Sequence, residues 1–275
     1  MNEQQTFWDH LDELRSVIIR MLVAVVVLSA IAFCFKDLLF AVILAPEQSS
    51  FITYRWFGSA LSWMRDSLGW GWLDEAVKEI EFSVPLINTE LAQQFIIHMK
   101  AAFYAGILVC SPYLLYELFR YISPALYQNE RKYMFRLVAG GYMMFMLGVV
   151  FSYFILFPFT FRFLGTYQVD TSVVNTITIE SYMSTMIAMT IAMGLIFEMP
   201  VMSWILAKMR LLKAEYMSRY RRHVIVVILI VAAIITPTSD AFTLMVVSLP
   251  MWLLFEVSIL IVRKANRSNN KENNE

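Results

Sequence analysis

The stretch from Tyr182 to Lys208 reads YMSTMIAMTIAMGLIFEMPVMSWILAK, and Glu198 is its only charged residue before the closing lysine. A helix needs about 20 mostly apolar residues to cross a hydrocarbon core of roughly 30 Å, so this stretch predicts a transmembrane helix. Pro200 lacks a backbone N–H and therefore predicts a kink beside Glu198. The chain is thus expected to hold a carboxyl group at membrane depth.

Similar apolar runs recur along the chain. The predicted spans are residues 17–35, 93–116, 134–158, 182–208, 224–235 and 241–262. The fifth run would be only about 18 Å long as a helix, so by itself it also fits a buried or re-entrant segment. The polar hairpin that follows it favours a helical pair in a thinned membrane. We predict an all-α integral membrane protein with six spans, the last two short, in a single domain over residues 1–265. The polar tail at residues 266–275 is predicted to be disordered.

The composition agrees with a membrane protein and excludes several functions. Of the 275 residues 59% are hydrophobic and 16% are charged, and the formal net charge is zero. Soluble domains carry about a quarter charged residues. Nothing in the total charge suggests a nucleic-acid partner. The sequence lacks a phosphate-binding glycine loop, a zinc helix and a nucleophile elbow, so we predict neither an enzyme nor a cofactor or metal site.

Lysine and arginine mark the orientation, because cytoplasmic connections are enriched in them. With both termini in the cytoplasm, that side receives 16 of these residues and the opposite side 5, with Lys100 left in the membrane. We therefore predict that both termini lie in the cytoplasm.

The long outside loop, residues 46–92, is rich in tryptophan. Tryptophan favours the membrane interface. The loop predicts either a short helix lying on the outer surface near residues 54–68 or a small ordered cap between the first two spans.

Ionisable residues inside the bilayer are costly and mark candidate sites. Glu198 shares a helix face with Gly194 and Ser184, and a small, polar stripe of this kind suits the docking of another helix. Two other interpretations stay open, an internal pair with Lys100 and ion conduction. Lys100 and Glu256 also fit side chains that reach the headgroups from near an interface.

Acidic residues on the predicted cytoplasmic side form a second candidate site. They are Asp9, Asp12, Glu13, Glu117 and Glu130. A carboxylate can accept both N–H groups of an arginine, so these side chains could bind a basic ligand. Solvated loop charges are the alternative.

Five motifs in order resemble one known family. They are HLDELR at residues 10–15, SPALYQNERK at 123–132 followed by FP at 157–158, FEMP at 197–200, TPTSD at 236–240, and LP at 249–250 with FE at 255–256. Together they resemble the TatC family of the twin-arginine translocase, collinearly from His10 to Glu256.

The resemblance implies a concave, glove-like bundle of six helices that binds the twin-arginine signal peptides of folded cargo proteins. It implies that Glu13 and Glu130 contact the signal peptide, with Arg15, Tyr121 and Arg131 beside them. It also associates Glu198 with single-span TatA and TatB partners, and we group Pro200, Asp240 and Lys100 with it as intramembrane polar positions. Transport in the family is driven by the proton-motive force. Self-association and contact with membrane lipid are expected.

Two other classes of function compete with this interpretation. A secondary transporter could use Glu198 and Lys100 as coupling groups, but the two halves of the sequence show no repeat. An intramembrane enzyme would need a nucleophile with a base, which the spans do not offer.

Overall fold

The computed structural model describes residues 7–69, 84–122, 134–167, 170, 176–236 and 241–272. Within these ranges the protein is mostly helical, with one short parallel strand pair. The helices are α1 Phe7–Phe33, α2 Lys36–Ile43, α3 Ile52–Leu68, α4 Gln93–Ile122, α5 Met134–Phe151, α6 Phe157–Thr166, α7 Ile179–Phe197, α8 Met199–Lys208, α9 Ala214–Arg219, α10 Arg221–Ile235 and α11 Ala241–Glu272. A π-helical segment, Ser152–Leu156, joins α5 to α6 without a break.

Five helical stretches are long and apolar enough to cross a membrane. They are Leu11–Phe33, Gln93–Tyr121, Leu137–Thr166, Ile179–Lys208 and Thr243–Arg267. The predicted fifth span forms α10, whose 15 residues reach about 22 Å. The last predicted span is not short, because its apolar stretch has 25 residues. The architecture is therefore a membrane helical bundle with five full-length apolar helical stretches, to which α10 adds a shorter apolar helix.

Helices α1 and α4 pack side by side in opposite directions. Near one end Phe33 stacks on His98 with ring centroids 4.0 Å apart, and near the other Arg20 contacts Glu117. Midway, a Cβ added at Gly106 would lie 2.9 Å from the Cα of Ser29. Glycine therefore lets the two backbones approach more closely than any other residue would.

Helices α4 and α7 start together at the same end of the bundle. Strand β1, Leu86–Ile87, precedes α4, and strand β2, Ile177–Thr178, precedes α7; the two strands pair in parallel. Just inside the helices, the Nζ of Lys100 donates to Glu180. The strand pair and the ion pair hold α4 and α7 in register at this end.

The core lies between α4, the α5–α6 segment, α7 and α11. Helix α7 contributes Met183, Met186, Met189 and Met193, each at most 2% exposed. These side chains pack with Leu156 and with aromatic and aliphatic side chains of the neighbouring helices. Methionine is flexible and fills irregular gaps, which suits a core built from helices of unequal length and tilt.

At the position of the predicted kink, the helix is interrupted at Glu198, between the end of α7 and the start of α8. Pro200 is the second residue of α8, where its missing N–H costs no hydrogen bond within that helix. The break turns Glu198 into the residue that joins the two helices.

The tail departs from the prediction, since α11 continues to Glu272 whereas the sequence predicted disorder from residue 266. No glycine or proline follows Pro250 in the sequence. Extending a helix that is already formed adds one hydrogen bond per residue without a new nucleation step.

Candidate functional site

Three of the residues predicted to bind a signal peptide lie at one end of the α1–α4 pair. Glu13 is half-buried and Arg15 is exposed on the first turns of α1, and Tyr121 is half-buried at the end of α4. Glu130 and Arg131 lie outside the described residues, in the connection that follows α4. The described part of the site therefore consists of Glu13, Arg15 and Tyr121.

Glu117 differs from the prediction of a carboxylate open to a ligand. Its side chain is 3% exposed, and it accepts hydrogen bonds from Arg20 at 3.0 Å and from the hydroxyl of Tyr113 at 3.1 Å. A buried carboxylate that already accepts two hydrogen bonds has a structural role and is not available to a ligand. Glu117 thus fastens α4 to α1, and Arg20 is the partner that the sequence analysis missed.

This contact fixes the direction in which Glu13 points. Glu13 precedes Arg20 by seven residues, which is about two helical turns and brings the side chain back to the same face of α1. Since that face contacts α4 at Glu117, Glu13 faces the end of α4, where the connection to α5 begins. No described side chain forms a salt bridge with Glu13.

Glu198 is buried where the α7–α8 junction meets α4 and α5. The residue is 7% exposed, and a Cβ added at Gly141 of α5 would lie 3.2 Å from its Oε2 and 2.9 Å from the ring of Phe119 of α4. In the part of the chain that is described, no donor lies within hydrogen-bond distance of either carboxylate oxygen. Pro200, also buried, follows in the first turn of α8. Unsatisfied buried polar groups are rare in folded proteins, so Glu198 is a candidate for bonding to a group outside the described residues.

Lys100 does not pair with Glu198. It contacts Glu180, which also accepts a hydrogen bond from the Ser184 hydroxyl at 3.1 Å. The alternative interpretation of an internal Lys100–Glu198 pair is therefore wrong, because Lys100 lies near the start of α4 whereas Glu198 follows the last residue of α7. Glu180 was missed, although a carboxylate in the first turn of an apolar helix is the kind of residue that pairs with a nearby lysine.

The remaining intramembrane positions are Glu256 and Asp240. Glu256 of α11 accepts a hydrogen bond from Arg221 of α10 at 2.8 Å. Glu256 therefore joins α10 to α11, whereas the sequence suggested that its side chain reaches the lipid headgroups. Asp240 lies outside the described residues. Among the residues placed by the structure, no cluster of three histidine, cysteine or acidic side chains could hold a metal ion.

Comparison with known proteins assigns the chain to a family. The family model described as Sec-independent protein translocase protein (TatC) matches residues 9–250. The Sec-independent protein translocase protein TatC of Blattabacterium sp. subsp. Periplaneta americana is 31% identical over 259 residues, covering 94% of this chain and 95% of the relative. That of Desulforapulum autotrophicum is 28% identical over 273 residues, covering 99% of this chain and 90% of the relative.

A solved structure agrees with the sequence comparison. The crystal structure of the twin arginine translocase receptor TatC superposes with a TM-score of 0.71 at 28% identity. The match covers 93% of this chain and 99% of that chain. The same arrangement of apolar helices therefore recurs in a protein matched over nearly its whole length. The chain belongs to the TatC family and is a membrane-embedded, non-enzymatic subunit of a Sec-independent, twin-arginine protein translocase.

Proposed function

We propose that this protein is the signal-peptide receptor and assembly platform of its translocase. It binds the twin-arginine signal peptides of folded cargo proteins and recruits single-span partners of the TatA and TatB type. It lies in the bacterial inner membrane with six spans arranged as a concave bundle and with both termini in the cytoplasm. The proton-motive force drives export.

One observation carries the receptor role, namely the direction of Glu13. The Arg20–Glu117 contact supports a geometry in which Glu13 points along α1 toward the connection after α4. Glu130 lies eight residues beyond Ile122, the last residue of α4, and Arg131 follows it. Glu13 and Glu130 are thereby candidates for one acidic surface near Tyr121.

The chemistry of the ligand fits this surface. Two neighbouring carboxylates complement two consecutive arginines, and each carboxylate can accept two parallel N–H bonds from a guanidinium. Arg15 is exposed nearby and keeps the local charge from becoming strongly acidic in the absence of ligand.

Helix α10 is the span that brings the proposed number from five to six. Its side chains are mostly exposed and apolar, and only Ile228 and Ala232 are buried. An exposed apolar helix is stable in lipid, and a stretch shorter than the bilayer thickness is accommodated by local thinning. Counting α10 as a span gives an even number, which agrees with the excess of lysine and arginine in the connections assigned to the cytoplasm.

Photocrosslinking to a twin-arginine signal peptide tests the receptor site. We expect Glu130→Ala to abolish the crosslink and Glu13→Ala to weaken it, because each removes an acceptor for an arginine. Asp12→Ala is the matched control, since Asp12 is an exposed carboxylate beside Glu13 on a different face of α1. Normal crosslinking in both glutamate variants would refute the site, provided that membrane insertion is unchanged.

Glu198 supports the recruitment of a partner. Its carboxyl group is buried between Phe119 and Gly141 without a described hydrogen-bond donor. A polar side chain from another helix would satisfy it, and such bonds between membrane helices contribute about 0.6 to 2 kcal/mol.

Co-purification with a single-span subunit tests this recruitment. We expect Glu198→Ala to lose the partner and Glu256→Ala to retain it, because Glu256 already has Arg221 as its partner. If Glu198→Ala co-purified as much partner as the unaltered protein, Glu198 would have only an internal role.

A further inference from the structure

Helix α3, in the connection after the first span, has three distinct sides. Tyr54 and Leu61, seven residues apart, are 0% and 7% exposed and face the protein. Trp56 and Trp63, also seven residues apart, are 75% and 68% exposed. Residues seven apart lie on one face of a helix, so the two tryptophans form a single outward stripe.

Polar residues occupy the third side. At about 100° per residue, Arg55, Ser59, Ser62 and Asp66 fall within a sector of about 60°. The exposed apolar residues Ile52, Trp56, Ala60 and Trp63 fall within a neighbouring sector of about 80°, in which Ser67 of the last turn is the exposed polar residue. The centres of the polar and apolar sectors are about 90° apart, and each is farther than that from the centre of the buried sector. A helix with one side on protein, one polar and one apolar fits a position at the edge of a bundle where lipid meets water.

Contacts with the bundle fix the rotation of α3. The Tyr54 hydroxyl donates to the carbonyl oxygens of Pro158 at 2.9 Å and Pro46 at 3.2 Å. The Thr53 hydroxyl donates to the carbonyl of Phe154, and the ring of Phe57 meets that of Phe159 at 5.3 Å. The helix therefore cannot turn its tryptophans toward the protein without breaking these contacts.

The tryptophan stripe continues a surface that belongs to a membrane span. Trp56 and Ile52 line a shallow hollow together with Phe154 and Ile155. Phe154 and Ile155 are 37% and 40% exposed and lie within the candidate span Leu137–Thr166. Lipid that covers these two side chains would also contact the stripe.

We propose that α3 is an interfacial helix whose stripe of Ile52, Trp56, Ala60 and Trp63 inserts into the boundary between lipid headgroups and acyl chains. Tryptophan favours this boundary because its indole is apolar and its N–H is polar. Amphipathic helices lie in the plane of the interface with the apolar face buried by about 5–10 Å. The partner of this surface is the lipid bilayer.

Spin-label accessibility on one adjacent pair of residues tests the proposal. The full chain carries Cys34→Ala and Cys110→Ala, because both native cysteines are free. Ala60→Cys places a nitroxide in the apolar sector and leaves both tryptophans intact, while Ser59→Cys places one in the polar sector. Both positions are exposed. The protein is reconstituted in nanodiscs of phosphatidylethanolamine and phosphatidylglycerol.

We expect the label at residue 60 to have a ratio of oxygen accessibility to nickel-chelate accessibility several times that at residue 59, because oxygen concentrates in lipid and the chelate stays in water. Equal ratios at the two positions would overturn the proposal. Shielding of residue 60 from both reagents would also overturn it, since a protein partner would then cover the stripe.

Discussion

Replacing Gly148 by alanine tests the close packing of α5 on α7. A Cβ at this position would lie 2.5 Å from the carbonyl oxygen of Met193 and 2.9 Å from the Cα of Gly194. Both are backbone atoms and cannot turn aside as a flexible side chain can. Ordinary contact begins at 3.4 Å, so the oxygen and the new methyl group must separate by about 0.9 Å, the difference between 3.4 and 2.5 Å.

The magnitude follows from two opposing effects. Forcing an extra methyl group into a packed interface costs about 1–3 kcal/mol. Alanine in place of glycine favours the helix by about 0.8–1.0 kcal/mol. Gly140 is the matched control because it lies on the same helix and a Cβ there would meet nothing within 4 Å. Gly140→Ala gains the helical preference alone, so the difference between the variants reports the packing cost.

Unfolding of the purified protein by sodium dodecyl sulfate in mixed micelles provides the assay, with circular dichroism as the signal. We expect Gly148→Ala to unfold more easily than Gly140→Ala, by about 1–3 kcal/mol. Equal unfolding free energies would refute the close approach of α5 and α7.

Two further stability predictions rest on single side chains. Arg20→Ala leaves the buried Glu117 carboxylate with Tyr113 as its one donor among the described residues, so we expect a loss of about 1–2 kcal/mol of unfolding free energy, reduced because Arg20 is partly exposed. Arg15→Ala, which removes an exposed arginine, is the control, and an equal loss there would contradict the assignment. Tyr54→Phe removes a donor to two carbonyls and should cost about 1–2 kcal/mol at neutral pH. Burial raises the pKa of Tyr54 above its usual range, so the folded state keeps the proton that the unfolded chain loses above about pH 10. The advantage over Tyr54→Phe should therefore shrink as the pH rises past that value in the same unfolding assay, and a constant difference would contradict the burial of the hydroxyl.

The apolar runs predict most of the helices, since a membrane span needs only length and low charge. The break at Glu198 is also predictable, because the effect of Pro200 on the backbone is local. The register of α1 on α4 is not, since it depends on Gly106 meeting Ser29 across the helix pair. Nothing in either segment alone specifies that contact.

Charge partners are the least predictable part of the site. Lys100 and Glu180 are 80 residues apart, and the sequence offers several other carboxylates. Glu117 has the pattern of a solvated surface residue, yet the approach of α1 buries it and supplies Arg20. Such pairs follow from how helices pack against one another, which the period of apolar residues along each helix does not determine.

The affinity of the purified protein for a signal peptide is the most direct test of the receptor role. In nanodiscs, a fluorescent peptide with its paired arginines is compared with one in which both are changed to glutamine. A hydrogen bond between charged groups contributes about 1.5–3 kcal/mol, and 1.4 kcal/mol is a factor of ten, so we predict at least about tenfold weaker binding of the glutamine peptide. Equal affinity for the two peptides would contradict the proposal that carboxylates of this protein bind the arginine pair.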